Sequence, residues 1–125
     1  RLNNNRKQRE ALKTAREAVT IQRRLVEHNP AAYTPDLAGF LNNLANRLNN
    51  NRKQREALKT AREAVTIQRR LVEHNPAAYT PDLAGFLDTY ASILEQSGST
   101  REAAHVQQER DEVLKRMKEM EEGDA

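Results

Sequence analysis

From Arg9 onward, apolar residues recur every three or four positions. Ala11, Leu12, Ala15, Ala18, Val19, Gln22, Leu25 and Val26 share one face of a helix, and Glu10, Arg16, Glu17, Arg23 and Arg24 fill the other sides. The spacing predicts a helix from Lys7 to Glu27, about 30 Å long. Its alanines would let a neighbouring helix come close. Ahead of it, Asn3 to Gln8 has no apolar residue and reads as a turn or a helix start. His28-Asn29-Pro30 ends the helix, because a residue before proline is pushed out of helical geometry. Thr34-Pro35-Asp36 opens the next one, with Thr34 as N-cap, Pro35 at the first helical position and Asp36 in the first turn. Leu37, Phe40, Leu41, Leu44 and Leu48 then form an apolar stripe reaching Asn49.

The same pattern then returns letter for letter. Arg1 to Leu41 and Arg47 to Leu87 are identical at an offset of 46 residues (47 − 1). Two identical blocks fold alike and present like surfaces, which predicts a stack of one supersecondary unit on the next. The second long helix is expected from Lys53 to Glu73, with a cap at Thr80-Pro81-Asp82. After Leu87 the copies part, and Asn42-Asn43-Leu44 becomes Asp88-Thr89-Tyr90. Ser97-Gly98-Ser99 is a turn, and Ser99 with Glu102 forms a capping box. A last helix follows from Thr100 to Glu121. Its apolar side is Ala103, Val106, Val113, Leu114 and Met117, interrupted by Arg110, and its outer side carries the pairs Asp111–Lys115 and Glu112–Arg116. Such a polar final helix suits an end on which nothing stacks. Glu121 to Ala125 is expected to fray. Solvent-facing letters match between the copies as well as apolar ones, which points to an engineered tandem copy or a very recent natural duplication.

Composition narrows the function more than the fold. Aromatics make up only 4% of the chain, so the core must come from Leu, Val, Ile and Ala. There is no cysteine, which excludes disulfides, thiolate metal sites and thiol catalysis. The net charge of +3 is spread among alternating acids and bases. A nucleic-acid surface would gather its Lys and Arg on one side, with aromatics for stacking, so no nucleic-acid partner is expected. No apolar run suggests a membrane span, and a cytoplasmic chain is the expectation. His28 and His74 sit near helix C-termini without ligand neighbours, so no metal and no cofactor are expected. Serine is sparse and no glycine loop could cradle phosphate, so catalysis is not expected. Gly39 and Gly85 lie inside helices, where they would admit a close neighbour.

Leu41, Leu44-Ala45 and Leu48, followed by Glu56-Ala57-Leu58, Ala61 and Ala64-Val65 and then Pro76, give the unit a recognisable form. It resembles the tetratricopeptide repeat, and the runs LNNLANRL (Leu41 to Leu48) and REALKTAREAV (Arg55 to Val65) are similar to its longer-helix variant in kinesin light chains and bacterial arrays. The resemblance covers nearly the whole chain. It implies an all-α, right-handed superhelical solenoid of antiparallel helix pairs. About two and a half units are expected in one domain, near 1–30, 31–76 and 77–122, with a short tail. One departure stands out. The family's turn glycine is kept only as Gly98, and Arg52 and Arg6 hold its place in the other units. Asparagine in Asn49-Asn50-Asn51 could supply the left-handed residue instead, leaving a turn. Alternatively the two helices fuse into one rod and swap between chains.

Asn42, Asn46 and Asn49 share one face of their helix, away from Leu37, Leu41, Leu44 and Leu48. In the family this face is the inner, concave side, where amides grip the backbone of an extended peptide. An amide both donates and accepts, so it can pair with a peptide unit without reading its side chain. The implied site comprises Asn42, Asn46, Asn49 and Asn50, continued by Asn3 and Asn4 in the first unit and by Asp88, Ser92 and Glu95 in the last. Asparagine is also a common turn and surface residue, so the row alone does not decide the matter. The expected function is therefore a non-enzymatic scaffold for a protein or peptide. The alternative is a structural or engineered module without a ligand that forms a homo-oligomer (a dimer) through its open N-terminal end, burying Leu2, Ala11, Leu12, Val19 and Val26.

Overall fold

The computed structural model describes residues 2–124, with side chains from residue 4 to residue 123. The described chain forms five helices: α1 (Leu2–His28), α2 (Pro30–Asn50), α3 (Gln54–His74), α4 (Pro76–Gln96) and α5 (Thr100–Asp124). Each packs against the next, and α2 also touches α4. The result is an all-helical, solenoid-like stack built by repeating one helix pair.

Two kinds of connector alternate. Between α1 and α2, and between α3 and α4, the link is a single asparagine. The Oδ1 of Asn29 accepts from the Ala32 N–H at 3.3 Å, and that of Asn75 from the Ala78 N–H at 3.2 Å. Pro30 and Pro76 follow in the first turn, where the missing N–H costs nothing. These caps start α2 and α4 well ahead of the expected Thr34 and Thr80, which are not caps. Pro35 and Pro81 lie inside the helices. The proline at 35 deprives only the carbonyl of Ala31, an exposed residue whose oxygen water can satisfy.

The other connector is a three-residue turn. The Leu48 carbonyl accepts from the Asn51 N–H at 3.1 Å and from the Lys53 N–H at 2.9 Å, and Leu94 does the same for Ser97 at 3.2 Å and Ser99 at 2.9 Å. Each turn needs one left-handed residue. Gly98 supplies it at φ 86°, and in the earlier turn Arg52 itself supplies it at φ 62°, not an asparagine. The chain therefore turns between α2 and α3 and does not form the continuous rod. The expected capping box is absent as a reciprocal pair. The Ser99 N–H goes to Leu94, and Glu102 accepts instead from the Tyr90 hydroxyl at 3.3 Å.

The same letters behave differently in the first copy. Helix α1 runs unbroken from Leu2, so Asn3 to Gln8 is neither a turn nor a start at Lys7. In the second copy α2 stands ahead of this string, and folding α3 back buries the α2 stripe. In the first copy the string is part of α1 itself. At the other end α5 runs through Asp124, beyond the expected fraying point, and Met117 and Met120 line an open cleft of about 300 Å3 together with Ala77 and Pro81 at the start of α4. Ala125 lies outside the described residues.

The core is aliphatic and continuous. Leu12, Ala15 and Val19 meet Leu37, Leu41, Leu44 and Leu48, and the layer continues through Ala57, Ala61 and Val65 to Leu83, Leu87 and Leu94, ending at Ala103, Val106 and Val113. Two glutamines are buried with it. The Nε2 of Gln22 donates to the Tyr33 carbonyl at 2.9 Å, and Gln68 donates to Tyr79 at 2.9 Å, fastening each helix pair. Some expected core positions lie outside it: Phe40 is 38% exposed and Leu114 is 45% exposed. Gly39 and Gly85 do not admit a close helix, since a Cβ at either would meet nothing within 4 Å. Asp111 pairs with Arg110 at 3.0 Å, and neither expected i,i+4 ion pair on α5 closes.

Candidate functional site

The second helix of each pair, α2 and then α4, lies backbone to backbone with its successor. Helices α1, α3 and α5 do not meet one another in this way. A stack that is closer on one side curves toward that side, so α2 and α4 line the inner face. On it, Asn46 and Asn50 are exposed and Asn42 and Asn49 are half-buried. The Nδ2 of Asn49 donates to Gln96 Oε1 at 2.8 Å, joining the two helices, and Gln96 Nε2 reaches Ser92 Oγ at 3.4 Å. The Nδ2 of Asn46 turns to the Asn42 carbonyl at 3.3 Å. The Oδ1 atoms of Asn42 and Asn49 are buried and have no hydrogen-bond partner among the described residues. Each thus holds unfilled acceptor capacity, at a cost of about 1–3 kcal/mol.

The last unit contributes less than expected. Asp88 is occupied by Arg110 at 2.6 Å, while Ser92 and Glu95 are exposed. Arg110 thus answers Asp88 and Asp111 together, and both carboxylates hold its guanidinium protonated. Asn50 borders a different feature, an open cleft of about 640 Å3 between α1 and the Arg52 turn. Asn4, Asn5, Gln8, Arg9, Asn51 and Arg52 complete its lining. There the Asn51 Nδ2 donates to the Gln8 carbonyl at 3.0 Å, tying the turn to α1. The side chain of Asn3 lies outside the described residues.

The residues expected to be bare at the N-terminal end are mostly covered. Leu12 and Val19 are buried against α2, and Ala11 and Val26 are half-buried. The side chain of Leu2 lies outside the described residues. Ile21 on α1 stays open, 58% exposed, as does Phe40 on α2.

The outer helices are linked by a ladder of charges. Arg16 grips Glu56 with both terminal nitrogens, Nη2 lying 3.0 Å from Oε1. Arg23 holds Glu63 through two bonds of 2.9 Å, and Arg69 holds Glu109 at 2.9 and 2.6 Å. Arg62 lies 3.8 Å from Glu102, donates to the Tyr90 hydroxyl at 3.0 Å and sits over that ring. The hydrogen bonds from Arg16 hold the Glu56 carboxyl below its ordinary pKa, with its charge and those of Lys53 and Lys59 adding to the effect and desolvation opposing it. Hydrogen bonds to Glu56, Glu63 and Glu109 raise Arg16, Arg23 and Arg69 in turn.

Among the described residues no group of His, Asp or Glu is placed to hold a metal, and no helix is long and apolar enough to cross a membrane. The family model of the tetratricopeptide repeat matches residues 37–77, from the middle of α2 through the Arg52 turn and α3 into α4. That stretch, about a third of the chain, is similar to a tetratricopeptide repeat. No curated protein matches the chain, and no solved structure does. Tetratricopeptide repeats are typically modules of protein–protein interaction without catalysis, and the match over residues 37–77 suggests that function class.

Sequence reasoning missed two features of the repeat. The charge ladder was visible as paired spacings, because Arg16 and Arg23 stand seven apart, as do Glu56 and Glu63. Residues seven apart share a helix face, so the two rows can mesh. Gln96 was missed too, although it stands where the earlier copy has Asn50 (96 − 46).

Proposed function

We propose that the chain is a non-enzymatic scaffold that holds an extended protein or peptide segment along the α2–α4 face. Asn42, Asn46, Asn49 and Asn50 would pair with its backbone, and Ser92 and Glu95 would border its far end. The observation that supports this reading is the pair of acceptors at Asn42 and Asn49, buried on that face without a partner. Once its amide turns toward the open face, a peptide N–H gives such an oxygen what the folded chain does not, at a gain of about 1 kcal/mol per bond. Asp88, already tied to Arg110, takes no part. A peptide-array screen would find a ligand. Replacing Asn42, Asn46 and Asn49 together by Ala should then weaken it by about 100-fold, at roughly 1 kcal/mol per amide. Undiminished affinity in the triple variant would reject the site.

A further inference from the structure

Two glycines stand at the same place in successive repeats without serving the fold. Gly39 and Gly85 (39 + 46) lie inside α2 and α4, where glycine is a poor helix former. Neither has the left-handed backbone that would call for glycine. Neither lets a helix come close, since a Cβ at either would meet nothing within 4 Å. Both lie on the face turned away from the buried leucine stripe. In α2 that face is Gly39, Asn43, Asn46 and Asn50, at i, i+4, i+7 and i+11. In α4 it is Gly85, Thr89, Ser92 and Gln96, and there the Thr89 Oγ1 donates to the Gly85 carbonyl at 3.3 Å. The bond from Asn49 to Gln96 joins the two rows. Each glycine leaves its row a hollow one side chain deep, floored by helix backbone.

The double row also lacks charge. Helix α2 carries only Asp36 and Arg47, and α4 only Asp82, Asp88 and Glu95. Helix α3, of the same 21 residues, carries Arg55, Glu56, Lys59, Arg62 and Glu63 in its first half alone. A charged side chain laid on the double row would lose water and find no opposite charge there. The floor of each hollow is equally unrewarding to a polar group, because helix N–H and C=O groups already bond each other. An apolar side chain meets neither objection.

We infer, building on the peptide-holding role given above to this face, that the held segment is uncharged and seats a large apolar side chain in the hollow at Gly39 and another in that at Gly85. The two glycines are then the positions that set specificity. The amides hold peptide backbone, which every segment has, and the hollows choose among side chains.

The probe is an array of random synthetic peptides with blocked ends, divided equally among neutral, acidic and basic sets. Binders should come from the neutral set and weaken about tenfold or more when their large apolar side chain is cut to Ala. Gly39→Leu with Gly85→Leu fills both hollows. It should weaken the same peptides about tenfold or more while raising the melting temperature, because leucine favours helix. Gly39→Ala with Gly85→Ala guards against a leucine that disturbs the fold, and should weaken binding in the same direction by less. Gly123→Leu, the same change on α5, should leave binding as it was. Charged peptides that bind as well as neutral ones overturn the inference, and so does undiminished affinity in the leucine variant. The triple Asn→Ala variant described above separates the two readings. Loss there, with none in the glycine variants, rejects the hollows alone. Loss in the glycine variants, with none there, rejects the amide grip and keeps the hollows. An array without any binder rejects both.

Discussion

Replacing Arg52 by glycine should stabilise the protein, and the same change at Arg6 should destabilise it. Both arginines sit in the same string, Arg-Leu-Asn-Asn-Asn-Arg-Lys-Gln-Arg-Glu. Arg52 adopts φ 62°, and a side chain in that left-handed region costs about 1–2 kcal/mol. Glycine removes this cost but returns about 0.4–1 kcal/mol through the freer unfolded chain. The net gain is about 0.5–1 kcal/mol, or roughly 2–4 °C in melting temperature for a chain of this length. Arg6 lies within α1, where glycine loses about 1 kcal/mol of helix propensity. Urea unfolding of the parent and the two variants, followed by circular dichroism, gives the comparison, with an unchanged slope confirming a common unfolded state. Opposite signs from identical flanking letters are the expected result. Arg52→Gly that is neutral or harmful would show that the turn is not built on this residue.

Three other outcomes follow from the geometry. Gly39→Ala and Gly85→Ala should each add up to about 1 kcal/mol in thermal unfolding, since a Cβ at either position meets nothing within 4 Å and glycine is a poor helix former. Glu56 has a folded pKa below its usual 4.5, so its contribution is fully present above that value and is lost as pH falls through the lower folded one. Arg16 and Glu56 have side chains 42% and 44% exposed, so water holds the pair to under about 1 kcal/mol. Glu56→Gln should lose that much near neutral pH, less in high salt, and nothing once the carboxyl is protonated in both states. Gln68→Leu keeps the volume but removes the donor to Tyr79, and should cost about 1 kcal/mol by urea unfolding; a neutral result would discount that clamp.

Helix content and the core were legible because period and repeat agreed. Leu37, Leu41, Leu44 and Leu48 follow one stripe, and their burial needs nothing but a neighbour of the same kind. Helix starts were legible only in part. Thr34-Pro35-Asp36 carries every local mark of a helix start, yet Asn29-Pro30 comes first and a helix once begun passes through Pro35 at the loss of one exposed hydrogen bond. The fate of Asn3 to Gln8 could not be read locally at all, since identical letters make helix in one copy and turn in the other. The candidate site shows the same division. That the amides share one helix face followed from spacing, but the closing of Asp88 by Arg110 and the bridge from Asn49 to Gln96 depend on how neighbouring helices approach.

The two sides of the stack are held by different forces. Inner helices touch through backbone and packed side chains, which salt does not loosen. Outer helices are joined across their gap by long, half-exposed charged arms, whose pull fades within about 10 Å at ordinary ionic strength. The molecule is therefore stiff along its spine and compliant along its outer edge, like a book bound on one side. Raising salt should let the outer edge fan open, so that the spacing of the outer helices becomes a property of the solvent as well as of the chain.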